Sequence, residues 1–170
     1  LLPTDEERAQ HVNAVGLSQH EPDITAQAQL MIERERLLAV KEAIAYETVL
    51  SHPSHLDFVR RAKNSGYNIV LMYIGLSAPL ISEERVILRV SQGGHDVPRD
   101  RRQARYVRSL DNLARILPIV DKATIVDNSR EGGSVALVAT GNDNTLQLIK
   151  TVQWFAPVLK KLCDKKVLIQ

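Results

Sequence analysis

The pattern of apolar and polar positions predicts several helices, one of which is capped by Ser82, carries Val86 and Val90 inward and ends at Gly93. Residues 24–41 and 54–64 carry apolar side chains at three- and four-residue intervals, separated by charged residues, which is typical of amphipathic helices. The longest predicted helix covers residues 100–117. It has one apolar stripe and one arginine-rich stripe, so one side should face a core and the other should be basic.

Short apolar runs lie between these helices and predict strands. Residues 43–48, 68–75 and 123–127 each read as one strand. The run 68–75 is apolar almost throughout, which is typical of a strand buried on both faces of a parallel sheet. Towards the end of the chain, residues 134–170 predict a hairpin followed by a last helix.

The alternation of strands and helices predicts an α/β fold, arranged as a three-layer sandwich around a mainly parallel sheet. Residues 1–170 are interpreted as a single domain, to which the terminal hairpin and helix belong. Ligands of such sheets bind beyond the carboxyl ends of the strands. Glu47, Ser77 and Asn128 follow or end predicted strands, so we expect a ligand site at that edge.

Composition limits the classes of function. The sequence is 44% hydrophobic and 25% charged, which is ordinary for a globular domain. A net charge of +2 and an aromatic content of 4% argue against a nucleic-acid partner. No apolar run reaches the roughly 20 residues that span a bilayer, and no signal peptide is evident, so we expect a cytoplasmic protein without a membrane partner.

Arginines concentrate around a pair of adjacent glycines. Arg85 and Arg89 precede Gly93 and Gly94, and more arginines follow, at Arg99, Arg101, Arg102, Arg105 and Arg108. Guanidinium groups grip phosphate oxygens in pairs, and a glycine hinge allows a segment to close over a ligand. The pattern predicts an arginine-rich helical lid, although a solvated helix face would have the same composition.

Other candidates have a simpler interpretation. His52 and His55 lie near Glu47, but no third metal ligand is evident, and no residue is assigned to a metal. Trp154 and its neighbour Phe155 are interpreted as core residues or as a surface for a partner. Cys163 is the single cysteine, which excludes an internal disulfide.

Several short segments occur in an order known from one kinase family. They are AYETVLS from residue 45, GLS from residue 75, GGHDVP from residue 93, RYVRSL from residue 105 and DNS from residue 127. Together they resemble the zeta-toxin-like P-loop kinases over about residues 11–140.

The resemblance implies transfer of a phosphoryl group from ATP, with Mg²⁺, to a small acceptor such as the nucleotide sugar UDP-N-acetylglucosamine. It also implies a possible antitoxin protein as partner. By position, Glu47 and Thr48 would bind the substrate. The catalytic arginines would be Arg85, Arg89, Arg105 and Arg108. The nucleotide side of the site would be formed by Gly93, Gly94, His95, Asp127 and Asn128.

The sequence departs from the family in its phosphate-binding parts. No GxxxxGK[ST] loop occurs anywhere in the 170 residues. Val15 stands where the family has an acidic residue after Asn-Ala. Either the intact protein carries the loop on residues outside this sequence, or the protein lacks it and binds without catalysing. The first interpretation is favoured, because a sheet without its central strand would have unpaired edges.

The alternative function is a catalytically inactive binding module that uses the basic face of residues 101–115. Such a module predicts strongly salt-dependent binding to many phosphates. The kinase interpretation instead predicts one saturable triphosphate site that requires magnesium.

Overall fold

The computed structural model describes residues 24–78, 99–130, 135–165 and 167–170. The chain separates into two compact units, Leu1–Tyr46 and Glu47–Gln170. In the first unit the described element is helix α1 (Ile24–Val40), which confirms the predicted helix. Near the end of that unit, the Arg34 guanidinium lies 4.8 Å from the centre of the Tyr46 ring, a cation–π contact.

The second unit contains three α-helices and five strands among its described residues. The helices are α2 (Ser54–Asn64), α3 (Arg99–Ile116) and α4 (Ala156–Asp164), and a 3-10 turn precedes α4 at Gln153–Phe155. The strands are β1 (Val70–Gly75), β2 (Lys122–Asp127), β3 (Ala136–Asn142), β4 (Thr145–Leu148) and β5 (Leu168–Ile169). The helices predicted at residues 54–64 and 100–117, the last helix and the terminal hairpin are therefore confirmed, whereas the helix predicted to begin at Ser82 lies outside the described residues.

The five strands form one sheet in the order β1-β2-β3-β4-β5. β1 pairs with β2 and β4 with β5 in parallel, whereas β2 pairs with β3 and β3 with β4 in antiparallel fashion. The α/β class is confirmed, but the described sheet is mixed rather than mainly parallel. The reason is the hairpin, whose two strands must run antiparallel because a two-residue turn joins them.

The hairpin turn has a clear local cause. Asp143 and Asn144 both have positive φ angles, of 46° and 64°. This is the left-handed region that a two-residue turn of the primed type requires, and Asp and Asn tolerate it better than other side chains with a Cβ.

One face of the sheet carries the core. Leu71 and Tyr73 of β1 pack with the buried Ile125 of β2, and α2, α3 and α4 contribute to the same cluster. Val70, Met72 and Ile74 point to the other face and are 57–69% exposed. The prediction that β1 is buried on both faces is thus wrong, and the third layer of the predicted sandwich stays a prediction.

The predicted strand at residues 43–48 does not form. The Thr48 hydroxyl accepts a hydrogen bond from the backbone N–H of Leu50, 3.0 Å away. Such local side-chain-to-backbone bonds compete with strand pairing. The segment is also mostly exposed, so it lacks the burial that favours a strand.

The amino ends of β1 and β2 are joined by one carboxylate. Asp121 accepts a hydrogen bond from the N–H of Ile69 at 2.7 Å and forms an ion pair with Lys63 at the end of α2. The hydrogen bond from Lys63, together with that from Ile69, lowers the pKa of Asp121. This arrangement fixes the end of the sheet that lies opposite the predicted site.

Candidate functional site

The carboxyl ends of β1 and β2 lie side by side, as the sequence predicted. Gly75, the last residue of β1, is in register with Asp127, the last residue of β2. The N–H of Asn128 then donates to the Gly75 carbonyl oxygen at 2.9 Å, so the parallel pairing continues one residue beyond the strands. The segments that follow both strands therefore start from the same edge of the sheet.

Gly75 is in close contact with Trp154. A Cβ atom at position 75 would lie 2.1 Å from Cη2 of the indole ring, a distance that real Cβ contacts do not allow. The absence of a side chain at Gly75 thus makes room for the indole directly under the strand end. Trp154 is buried and donates from Nε1 to Oδ1 of Asp127 at 3.3 Å.

Asp127 is the centre of a polar network at this edge. Its Oδ1 accepts hydrogen bonds from the backbone N–H of Ser129 at 3.2 Å, from the Ser129 hydroxyl, and from Trp154. Ser129 Oγ in turn accepts from the N–H of Ser77 at 2.7 Å. The network links the segments that follow β1 and β2. Within the described part of the chain, the side-chain and backbone donors to the Asp127 carboxylate all bind the same oxygen, Oδ1.

Helix α3 holds the segment after β1. The Tyr106 hydroxyl donates to the Leu76 carbonyl oxygen at 2.9 Å. Burial raises the pKa of Tyr106, and the nearby Tyr73 and Asp127 add to this rise. The phenol therefore keeps its proton at neutral pH and remains a hydrogen-bond donor.

The same helix holds the segment that follows Glu47. Asn112 is buried and donates from Nδ2 to the Leu50 carbonyl oxygen at 2.9 Å, and Arg108 donates from Nε to the Ser51 carbonyl oxygen at 3.3 Å. Leu50 itself has a φ of 57°, which is uncommon for a residue with a side chain. Strained residues of this kind persist where their surroundings fix them, and they concentrate at functional sites.

Helix α3 carries two of the predicted catalytic arginines, Arg105 and Arg108. Arg105 is half-buried, and within the described ranges no hydrogen bond or ion pair to its side chain is found. Arg108 is exposed and uses its Nε–H on Ser51, whereas a guanidinium has five N–H donors in all. Both residues therefore keep donors that can bind an anion.

The structure brings part of the predicted site together. Thr48 and Arg108 belong to one hydrogen-bonded assembly through the segment 48–51 and α3. Tyr106 of that same helix lies near Asp127 and binds the Leu76 carbonyl oxygen. It thereby links α3 to the edge of the sheet where Asp127 and Asn128 lie. Glu47 is exposed and precedes this segment, and it does not end a strand as predicted. Five predicted residues lie outside the described ranges: Arg85, Arg89, Gly93, Gly94 and His95.

Three residues of this region were not predicted to act there. Asn112 was placed on a basic stripe, yet it is a buried donor to a backbone carbonyl. The sequence pattern puts Tyr106 on the apolar stripe of the helix, and it predicts a core or partner-binding role for Trp154. Tyrosine and tryptophan each carry a polar group that needs a hydrogen-bond partner when it is buried. This property is the sequence feature from which the polar contacts of Tyr106 and Trp154 could have been predicted.

The described side chains of α3 and of the end of β2 include two cations and one carboxylate. Arg105 and Arg108 supply cations, and Asp127 supplies a carboxylate of the kind that binds Mg²⁺ together with phosphate oxygens. No group of three metal-ligating side chains occurs among the described residues.

No protein-family model, curated protein or solved structure matches this chain. In the part of the chain that the structure describes, no helix has both the length and the apolar character needed to cross a membrane.

Proposed function

We propose that the chain is the core of an ATP-dependent phosphotransferase that acts on a small hydroxyl-bearing acceptor, in the class of nucleotide sugars such as UDP-N-acetylglucosamine. In this proposal the sheet belongs to a P-loop-kinase-like fold with zeta-toxin-like segments. The nucleotide binds with Mg²⁺ at the carboxyl ends of β1 and β2, beside Asp127 and Asn128. The acceptor binds beside Glu47 and Thr48.

One observation carries the proposal. Helix α3 is hydrogen-bonded to two segments that are far apart in the sequence, through Tyr106 to Leu76 and through Arg108 and Asn112 to Ser51 and Leu50. The predicted acceptor segment and the predicted nucleotide edge thus adjoin one arginine-bearing helix. Phosphoryl transfer depends mainly on such positioning and on cationic stabilisation of the transferring group.

The direct pairing of β1 with β2 bears on the missing phosphate loop. All six residues of Val70–Gly75 are in register with Lys122–Asp127, so within the described sheet no strand lies between them. A phosphate loop supplied from elsewhere in an intact protein would have to enter at the outer edge of β1 or separate this pair. For these 170 residues we propose arginine side chains as the phosphate-binding groups.

The proposal is tested by phosphoryl transfer with purified protein, Mg²⁺, ATP and UDP-N-acetylglucosamine, with the phosphorylated sugar detected by mass spectrometry. Arg89→Ala and Arg105→Ala should lower turnover more than they weaken ATP binding, because the lost interactions form with the transferring group. Arg115→Ala is the matched control: it lies on an exposed part of the same helix, in its last turn, and should leave turnover unchanged. Unchanged turnover in both test variants would contradict the roles assigned to them.

A second candidate is the binding module that uses the basic face of residues 101–115. It is favoured by the exposure of Arg101, Arg108 and Arg115. It is weakened by Asn112, which lies in the middle of that face and is buried against the Leu50 carbonyl. In this case Arg101→Ala and Arg115→Ala would each weaken binding to any polyanion, with a reduced salt dependence.

A further inference from the structure

The side chain of Lys165, which directly follows α4, is held at the end of α3. Its Nζ donates a hydrogen bond to the carbonyl oxygen of Ala114 at 3.1 Å. In an α-helix this carbonyl would accept from the backbone N–H of residue 118, but that residue is Pro118, which has none. Ala114 is buried, so its carbonyl oxygen needs a partner within the protein. The hydrogen bond therefore gives the Lys165 amine a fixed position.

Three further cations act on this amine through their charge. They are Arg60 of α2, Arg115 in the last turn of α3 and Lys161 in the last turn of α4. All three side chains are exposed, as is that of Lys165. Exposed charges that are more than about 10 Å apart are largely screened by salt. Three helices thus bring four positive charges together at the surface.

The surroundings favour the neutral form of the Lys165 amine. Partial burial lowers its pKa, and the positive charges of the three neighbouring cations lower it further. Two carboxylates of the same helices bind other partners: Asp57 lies 3.7 Å from Arg60, and Asp111 forms an ion pair with Lys161. A lysine amine beside other cations is activated in this way as a nucleophile, because only its neutral form has a free electron pair.

The same group of cations attracts anions from solution. A surface of one sign raises the local concentration of a reactant of the opposite sign, and guanidinium groups bind phosphate oxygens. A reactant that combines a phosphate group with an electrophilic carbon is therefore drawn to the position of a nucleophilic amine. Acyl phosphates have this combination.

We propose that Lys165 is a site of acylation by acyl phosphates. The neutral amine attacks the acyl carbon and forms an N–C bond, the C–O bond to phosphate breaks, and phosphate leaves with the electron pair of that bond. One proton of the amine is released to water. The resulting amide keeps one N–H, which can still donate to the Ala114 carbonyl oxygen, so the fold accommodates the modification. This proposal does not depend on the proposed function.

The test is the acetylation rate of each lysine of the wild-type chain in acetyl phosphate, measured by peptide mass spectrometry. Lys160 is the internal control, because it is exposed on α4. We expect Lys165 to react about tenfold faster than Lys160, the lower end of the range by which charge of one sign concentrates a counter-ion. Added salt should reduce this difference, because it screens the attraction.

A neutral reagent and two charge-matched variants test the role of the cations. N-acetoxysuccinimide has no charge, so it should favour Lys165 over Lys160 less than acetyl phosphate does. Arg60→Gln should slow acetylation of Lys165 by about twofold, the size of one exposed charge interaction, and leave Lys160 unchanged. Arg101→Gln removes the same charge about 20 Å along α3 from Ala114, and Lys165 should react in it as in the wild type.

Three results would each overturn the proposal. The first is an equal rate at Lys165 and Lys160 in acetyl phosphate. The second is the same preference for Lys165 with the neutral reagent, because anion attraction would then have no part in the reaction. The third is an Arg60→Gln variant in which Lys165 reacts as fast as in the wild type.

Discussion

Individual side chains fix the edge of the sheet where the candidate site lies. Trp154 occupies the space that a side chain at position 75 would fill and hydrogen-bonds to Asp127, so one indole both packs against and orients the strand ends. From the sequence, Asp127 and Asn128 could be placed at a strand end, because a short apolar run precedes them. The partner of Asp127 could not be predicted, since Trp154 is 27 residues away along the chain and only the folded sheet brings the two together.

Gly75→Ala tests the contact with the indole. The added methyl group would overlap the Trp154 ring, so the ring or the strand must move, at a cost of about 1–3 kcal/mol in the free energy of unfolding. Urea denaturation followed by tryptophan fluorescence measures this loss. Gly141→Ala is the comparison, because its new Cβ would meet the nearest atom only at 3.1 Å and should cost less. Equal costs at the two positions would contradict the packing described for Trp154.

Asp121→Asn tests the carboxylate at the opposite end of the sheet. The pKa of Asp121 is lower in the folded chain than in the unfolded chain, where it is near 3.9. Its contribution to stability is therefore present above about pH 4 and is lost as the pH falls through the folded value. Thermal unfolding measured from pH 7 to pH 2 should show this component in the wild type and a smaller one in Asp121→Asn.

The control for this pH dependence is Asp57→Asn. Asp57 is exposed, and its carboxylate lies 3.7 Å from Arg60 on the same helix, a geometry that contributes little to stability. Its removal should leave the shape of the pH profile as it is in the wild type. If both variants had the same profile, the role of Asp121 would be refuted.

At the scale of elements, helix α3 organises the second unit around the site. Its bounds could be predicted from the sequence, because a clear apolar period ends before Pro118. The state of residues 43–48 could not, since their composition suits a strand while the Thr48 hydroxyl binds the Leu50 N–H instead. The apolar periodicity thus predicts helix α3. The conformation of the neighbouring segment depends instead on a local hydrogen bond, which periodicity does not reveal.

Asn112→Ala tests the link between α3 and that segment. The change removes a buried donor and leaves the Leu50 carbonyl oxygen without its partner, which should cost about 1–3 kcal/mol in unfolding free energy. Hydrogen exchange of residues 48–51 should become faster than in the wild type. Arg115→Ala, one turn further along the same helix and exposed, should change stability by less than about 0.5 kcal/mol. Unaltered exchange in Asn112→Ala would contradict the proposed link.

At the scale of the whole molecule, the described sheet has one covered face and one exposed face. The α/β class could be predicted from the alternation of elements along the chain. The predicted hairpin already implied antiparallel pairing within the sheet. The exposure of one face of β1 could not be predicted, because Val70, Met72 and Ile74 are as apolar as the half-buried Leu71 and Tyr73 between them. An apolar run identifies a strand, but it does not tell how many of its faces are covered.

Paired substitutions to threonine test this asymmetry. Ile125 is fully buried, so Ile125→Thr should destabilise the chain by about 2–4 kcal/mol through lost packing and a buried hydroxyl. Met72 is 69% exposed on the opposite face, so Met72→Thr should lie within about 0.5 kcal/mol of the wild type. Chemical denaturation of both variants measures the difference. Equal losses would mean that the outer face of β1 is covered as well.

The measurement that tests the central claim most directly is a titration of the wild-type chain with ATP and Mg²⁺, followed by the fluorescence of Trp154, the single tryptophan of the sequence. Because Trp154 binds Asp127 at the proposed nucleotide edge, we expect a saturable change that fits one site and is reversed by EDTA. The absence of any fluorescence response would contradict the account. A response that any polyanion reproduces and that disappears with rising salt would also contradict it, and would favour the basic binding face.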